Sequence, residues 1–361
     1  MMLTQLKISH FRNFEALHYT PEPRINLIYG PNGAGKTNLL EAIYHLGTGK
    51  SFRTTLSSRA IQYGAETCHI HGIIQQKQGF SLTIGIQRHR TQTTNLYVNQ
   101  QAVSASHLAA TLSLRLINPD SFHLLNGGPK HRRQLLNWGV FHVEPLFWET
   151  WRQTNRIIKQ RNAALKKGQR AQVRTWDTQL DLQAQQLLQM YQAYYHYFEP
   201  LFYEVLGLFL PNMPVTLKYY PGWNTQTPLL ALLEANYAKD QAFARTHIGP
   251  HRADLRIRIK TVPAKDVLSR GQQKLVVCAL LLAQGILLKR HLDIQCIYLL
   301  DDLASELDEA NLKRICQLLE EIDAQVFVTA VDNRLADALF PNKTIKLFHV
   351  EQALKIPALA L

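Results

Sequence analysis

Residues 30–37 constrain this chain more than any other stretch. They read Gly30-Pro31-Asn32-Gly33-Ala34-Gly35-Lys36-Thr37 and fill every fixed position of the phosphate-binding pattern G-x-x-x-x-G-K-[ST]. Before them, Arg24 to Tyr29 alternates apolar and polar residues and predicts a strand; after them, Asn38 to Leu46 spaces its apolar residues as a helix does. Strand, loop and helix in that order are the context the motif requires. Glycines let backbone N–H groups turn inward, and the helix points its positive end at the same place. Such a loop cradles the phosphates of a nucleotide, with Lys36 reaching the β- and γ-phosphates and the Thr37 hydroxyl ligating Mg2+.

The chain has 361 residues, enough for two or three domains, and 46% of them are hydrophobic against 19% charged, a globular composition. Its net charge of +13 calls for an anionic partner, nucleic acid or an acidic membrane. Cys68, Cys278, Cys296 and Cys316 are scattered, which indicates neither a disulfide framework nor a zinc site and fits a cytoplasmic protein. The most apolar run, Leu275 to Leu288, is interrupted by Gln284 and Gly285 and predicts a buried helix, not a membrane span.

Short strands are expected at Leu3–Ile8, Ile70–Ile74, Phe80–Gln87, Asn95–Val98 and Leu114–Ile117, the middle three as an antiparallel meander. Arg12, one strand upstream of the phosphate loop, has two open readings, a surface cation or a contact at the nucleotide's edge. After Asp120 the character changes. From Lys130 to Arg174 there are eleven Lys and Arg against two acids, an excess of nine that makes up most of the net charge. A helix is expected around Trp151–Leu165, and a second on the spacing of Leu180, Leu187, Tyr191, Tyr194 and Phe198, ended by Pro200 and Pro211. The local, one-signed charge predicts phosphate contacts from Arg132, Arg133, Arg152, Arg156, Lys159 and Arg161. A solvated helix face is the plainer reading of the charges, and a helical core that of the tryptophans. Leu229 to Arg245 is expected to be helical. His247 and His251 flank Gly249-Pro250, which breaks any helix, so a turn carrying polar groups toward a ligand is expected there in preference to a metal site.

Farther on, Ser269 sits where an N-cap would sit before an apolar helix, and Gly271 lets the backbone approach an anion. Cys296 to Asp302 is an apolar strand ending in two carboxylates, the expected place for a magnesium-side aspartate. Ala304 to Asp308, a helix at 309–322 and a strand at 325–329 follow.

This ordered set resembles the ABC-type ATPases and, within them, the RecF family of recombination mediators. The resemblance is carried by Phe11-Arg12-Asn13, by Gly30 to Thr37, and by Leu125 to Pro129 with Arg132-Arg133. Trp138-Gly139, Phe141 to Pro145, Lys159 to Asn162, Gly249 to Asp254, Ser269 to Gln272 and Leu300 to Asp308 extend it over nearly the whole chain. It implies an α/β fold: an ABC-type P-loop ATPase head with a mixed sheet and an inserted, mainly helical arm. The expected division is 1–120 and 226–361 for the two parts of the ATPase domain and 121–225 for the arm.

The resemblance further implies an ATP-dependent homodimer. Each nucleotide would lie between one copy's phosphate loop and the other's Ser269, Gly271 and Gln272, with Asp308 in support. Lys36, Thr37 and Asp301 would hold phosphate and Mg2+, and Asp302 would orient the attacking water. The family acts at single-stranded and gapped DNA with RecR and RecO. Relative to the wider ABC pattern, Arg270 replaces a glycine, and Asp302 stands where glutamate is usual, which predicts slow turnover. No histidine follows the 325–329 strand, leaving Thr329 as the candidate phosphate sensor. Asn118 and Asp120 are the candidates for a missing glutamine. A transporter's nucleotide-binding subunit is the alternative; it fits poorly with a long basic helical insert. Long coiled-coil machines and a scaffold with a vestigial site fit less well still.

Overall fold

A computed structural model describes residues 1–77, 79–91, 93–340 and 345–351. They form two compact units, Met1–Ser121 with the described part of Leu288–Leu361, and Phe122–Leu287. In the first unit β1 (Met2–Phe11) turns its apolar residues inward, with Leu3, Leu6 and Ile8 all buried. It pairs antiparallel with β2 (Phe14–Tyr19). The next strand, β3 (Ile25–Tyr29), leads into the glycine loop and α1 (Lys36–Thr48). Strands β4 (Thr67–Gln75), β5 (Ser81–His89), β6 (Asn95–Val98) and β7 (Gln101–Ala102) complete a six-stranded antiparallel sheet ordered β2-β1-β4-β5-β6-β7. Leu39, Ile43 and Leu46 of α1 pack in one core with the inward residues of this sheet. Helix α2 (Ala105–Thr111) and β8 (Leu114–Ile117) follow.

The second unit is mainly helical: α3 (His123–Asn126), α4 (Pro129–Val143), α5 (Phe147–Lys166) and α6 (Arg170–Phe209). Its α6 runs 40 residues and passes straight through Pro200, where the sequence predicts a stop. Proline there lacks an N–H for the carbonyl one turn back, which usually kinks or ends a helix. Here Phe198, Leu201, Phe202, Val205 and Leu206 around it are all buried, and that packing holds the helical backbone. Helices α4 and α6 approach closely at Gly139, where a Cβ would lie 2.1 Å from the Tyr194 hydroxyl. Strand β9 (Val215–Tyr220) is followed by α7 (Leu229–Ala235) and α8 (Tyr237–Ala242), so the single helix expected over 229–245 is two, joined at Asn236. Strand β10 (Asp254–Ile259) then pairs antiparallel with β9 and with β11 (Val262–Pro263). Because β9 and β10 pair across residue 225, the expected boundary there lies inside this unit.

Helix α9 (Arg270–Leu292) is the one helix among the described residues long and apolar enough to cross a membrane, with mean hydropathy 1.7; 78% of that apolar window is buried inside the protein. Gln284, which interrupts it, donates to the Leu135 carbonyl (2.9 Å) and bonds the Tyr194 hydroxyl (2.6 Å). The helix therefore serves as a core element.

The chain returns to the first unit with β12 (Ile297–Leu300), α10 (Leu303–Glu306), α11 (Glu309–Glu321), β13 (Gln325–Ala330), α12 (Arg334–Leu339) and β14 (Ile345–His349). These strands build a five-stranded sheet ordered β14-β3-β13-β12-β8, parallel throughout. All its C-terminal strand ends therefore lie on one edge, where open α/β sheets bind ligands. Ile25 to Ile28 are buried on both faces, so the polar–apolar alternation expected of β3 does not mark an exposed face. Its one polar member, Asn26, is fully buried and accepts from the Tyr19 hydroxyl at 2.9 Å and the Glu22 N–H at 2.8 Å. The two sheets are joined by Gln325, whose side chain accepts from Leu3 N–H (2.7 Å) and donates to the Leu3 carbonyl (2.8 Å). Residues 341–344 and 352–361 of the expected C-terminal part lie outside the described residues.

Candidate phosphate-loop site

The parallel sheet brings three strand ends together. The loop after β3, the acids after β12 and Thr329 near the end of β13 all line one cavity of about 890 Å³, with Arg12, Asn13, Asn38, Arg53 and Tyr63 around it. Gly33 and Gly35 have φ of 87° and 110°, a region that strains any residue with a Cβ. At Gly35 a Cβ would also sit 2.4 Å from the Asn13 amide, which itself donates to the Ala34 carbonyl (3.0 Å). Gly33 has open space on that side. Lys36 folds back along the loop, donating to the carbonyls of Gly30 (2.7 Å) and Pro31 (3.0 Å). Burial lowers its pKa, while Asp302 and Asp301 pull the other way.

Asp301 is buried, and burial raises its pKa; the hydroxyls of Thr37 and Thr329, each donating at 3.1 Å, oppose that rise. Thr329 also accepts from the Asp302 N–H at 2.8 Å, so one hydroxyl ties the Asp301 side chain to the Asp302 backbone. Asp302 itself is exposed, with φ 54°. A partly dehydrated carboxylate beside a threonine hydroxyl and a looped lysine is a donor set suited to a hard cation and phosphate oxygens.

Several expected residues stand elsewhere or do other work. Arg12 lines the cavity, but its guanidinium clamps the fully buried Glu41 through two bonds of 2.9 and 2.7 Å and donates to the Arg59 carbonyl at 2.6 Å. Glu41 also accepts from Ser51 at 2.6 Å. Arg12 therefore lines the cavity as one half of an ion pair. Glu41 and Arg53 carry no motif signal, and neither is expected from the sequence. Asn118 closes a local turn on Ser121 (3.0 Å to its N–H, 2.8 Å to its hydroxyl), and Asp120 is exposed.

In the second unit Ser269 and Gln272 form a reciprocal cap. Ser269 N–H donates to Gln272 Oε1 at 3.0 Å, and Gln272 N–H to Ser269 Oγ at 3.3 Å. The spacing of serine and glutamine carries that signal, and the rest of the helix end is open: a Cβ on Gly271 would meet nothing within 4 Å. Asp308, in the first unit, is exposed and caps α11 through the Asn311 N–H (2.8 Å), which holds its carboxyl below the usual range.

Among the six basic residues expected at DNA phosphates, two are closed by carboxylates and a third is half-buried. Arg161 is fully buried and bonds Asp177, Asp240 (2.7 Å) and Thr246 (3.0 Å). Arg132 is held bidentate by Asp254 at 2.8 and 3.0 Å. Arg133 is half-buried and donates to the Ala253 carbonyl at 3.2 Å. Arg152, Arg156 and Lys159 are exposed along one face of α5. His247 and His251 themselves are bonded within the second unit. His247 Nδ1 pairs with Asp240 (2.7 Å), and His251 Nε2 with the Thr246 carbonyl (3.0 Å).

The phosphate loop, the acid-ended strand and the mixed α/β architecture together define an ABC-type ATPase head. The family model described as RecF/RecN/SMC N terminal domain matches residues 2–355. The chain is 44% identical over 356 residues to the DNA replication and repair protein RecF of Pseudomonas fluorescens strain SBW25, covering 98% of this chain and 97% of that one. It is 43% identical over 355 residues to RecF of Pseudomonas aeruginosa strain LESB58, covering 97% and 96%. Accordingly, the chain belongs to the RecF family of DNA replication and repair proteins. The fold agrees. A solved structure of the recombination mediator RecF-ATP in the RecFOR pathway superposes with a TM-score of 0.84 at 22% identity, over 97% of this chain and 96% of that one. An SMC head bound to the C-winged helix domain of ScpA matches with a TM-score of 0.59 at 15% identity, over 94% and 92%.

Proposed function

We propose that this chain is a slow, DNA-stimulated ATPase that pairs head to head around ATP and binds DNA at single-strand gaps. There it helps load recombinase together with RecR and RecO. The observation that carries the reading is the convergence of Lys36, Thr37, Asp301, Asp302 and Thr329 on one cavity at the edge of the parallel sheet. ATP with Mg2+ supplies a scissile phosphoanhydride and a counter-charge. The protein's part is to place donors and acids around it. Backbone N–H groups from Gly30 to Gly35 line the phosphates, and Lys36 swings from the loop carbonyls to the terminal phosphate. Thr37 and Asp301 hold the cation, and Asp302 orients water. Its short side chain makes turnover slow, so the triphosphate state lasts. Ser269, Gly271 and Gln272, open at the start of α9, close on the nucleotide held by a second copy, with Asp308 in support. ATP favours the pair because only the pair offers both surfaces, and hydrolysis releases it. The exposed row of Arg152, Arg156 and Lys159 supports contact with DNA phosphates. The relatives' name and the pathway of the solved RecF structure support the repair setting.

The deciding experiment measures binding to gapped, single-stranded and duplex DNA at several salt concentrations, with and without ATP, alongside sedimentation. Equal affinity with and without ATP, and no ATP-dependent change in mass, would sink the proposal.

A further inference from the structure

One motif remains outside the site described above, the turn over residues 245–253 in the second unit. Three arginines converge on it. Arg133 reaches in from α4 and donates to the Ala253 carbonyl at 3.2 Å. Arg252 ends the short turn Pro250–Arg252, and its Nε is buried without a hydrogen-bond partner. Arg245 is exposed just after α8, next to Thr246, whose carbonyl holds His251.

The local acids are already taken. Asp240 gives one oxygen to Arg161 (2.7 Å) and the other to His247 (2.7 Å). Asp254 is closed by Arg132 through both oxygens. Among the described residues none of the three arginines makes an ion pair. His251, in their midst, adds no charge. Burial pushes its pKa down to about 4, so at neutral pH it is uncharged, and its Nε2–H donates to Thr246. The arginines also repel one another: behind burial, Arg245 and Arg133 hold Arg252 below the ordinary guanidinium range. Three arginines without an ion pair, with only a smaller pull from Asp240 on Arg252, whose buried Nε has no hydrogen-bond partner, form a site suited to an anion with several acceptor oxygens.

Beside it stands an unusual aromatic. Phe243, two residues before Arg245, is 68% exposed, with its ring edge against His247 at 5.5 Å. An exposed ring next to a phosphate clamp suits an unstacked base, which duplex DNA does not offer.

We infer that Arg133, Arg245 and Arg252 clamp a backbone phosphate of a single nucleic-acid strand and that Phe243 stacks on a neighbouring base. The inference rests on the DNA-binding reading above and adds the site and the strandedness. It is separate in sequence from the exposed row on α5, which has its own exposed ring in Trp148, 40% exposed and stacked on Trp151.

The test uses the full chain with ATP and labelled oligothymidine or a duplex of equal length, across 50 to 200 mM salt. R245A and R252Q are each expected to weaken single-strand binding about tenfold at the low-salt end and to lower the salt slope by about one. F243A is expected to weaken binding to the single strand and leave the duplex unchanged. Arg245 is exposed, so R245A reports on binding even where R252Q disturbs the turn. Three outcomes overturn the inference. If single-strand affinity and slope survive R245A while the triple variant R152A/R156A/K159A loses both, DNA binding by this family member stands and the site is wrong. Loss of ATP-dependent pairing with intact DNA binding would assign the arginines to the nucleotide or the second copy. Absence of DNA binding in the unsubstituted protein would remove this inference together with the reading it rests on.

Discussion

The glycine loop and the basic helix α5 were both singled out by residue type, yet they answer to different rules. In the loop the motif's members stand together around one cavity: Lys36 on the loop carbonyls, Thr37 on Asp301, glycines at positive φ. On α5, cations of the same type divide. Arg152, Arg156 and Lys159 face solvent, whereas Arg161 is buried between Asp177 and Asp240. A motif prescribes geometry, so its members stay together in space. A local charge excess prescribes only a total, and the helical register decides which cations reach the surface.

Four experiments would break or sharpen that contrast. The largest effect belongs to the loop. K36R should abolish ATP-dependent pairing and cut ATP turnover by about a hundredfold or more, because arginine cannot replace the point charge of lysine in a closed cradle. Sedimentation with and without ATP reads the first effect, and phosphate release the second. Next is the buried cation. R161M should destabilise the protein by roughly 3–5 kcal/mol by leaving Asp177 buried and unpaired and Asp240 with His247 alone, while K159A, two residues away, should move stability by less than about 0.5 kcal/mol. Urea denaturation compares them; equal effects would erase the distinction between the two faces.

Third is acid. His45 in the first unit and His251 in the second are both pushed down by burial to about 4, from an ordinary 6.5. Between those values the unfolded chain binds protons that the folded one refuses, so stability falls as pH falls from 6.5 toward 4. Each histidine contributes up to about 3 kcal/mol of that loss. H251Q keeps an N–H for Thr246 and should flatten about half of the slope; an unchanged slope would mean that the two histidines are not what refuses the proton. Smallest in energy is the solvent row. R152A/R156A/K159A should leave the melting temperature unchanged and lower the salt slope of DNA binding by about one per cation lost.

Much of the head was legible in the sequence because its parts are local. The phosphate loop, the acid-ended strand and the strands of the meander each lie within a few consecutive residues, and the elements stand where the pattern puts them. The fate of Arg161 was legible too, in a signal the charge count overrode: it falls in register with Ile157, Ile158 and Leu165 on the buried face of α5. What could not be read was long-range. Nothing near Pro200 announces that buried neighbours will carry α6 past it. Nor does the run Arg24–Tyr29 reveal that Asn26 will lie in a core, because the groups that satisfy it come from Tyr19 and a turn at Glu22. Arg12 left two readings open, a surface cation or a contact at the nucleotide's edge, and neither names its partner Glu41, which comes from α1.

The strand that carries the phosphate loop has a late pair of neighbours. Both partners of β3 in the sheet, β13 and β14, come from residues 325–349. During synthesis the glycine loop therefore leaves the ribosome early and waits, without its flanking strands, for nearly the entire chain to emerge. Parallel pairing at such separation is slow. A nascent chain stopped before β13 holds all the loop's residues, and α1 with the sheet it packs on, but neither of the strands that flank β3.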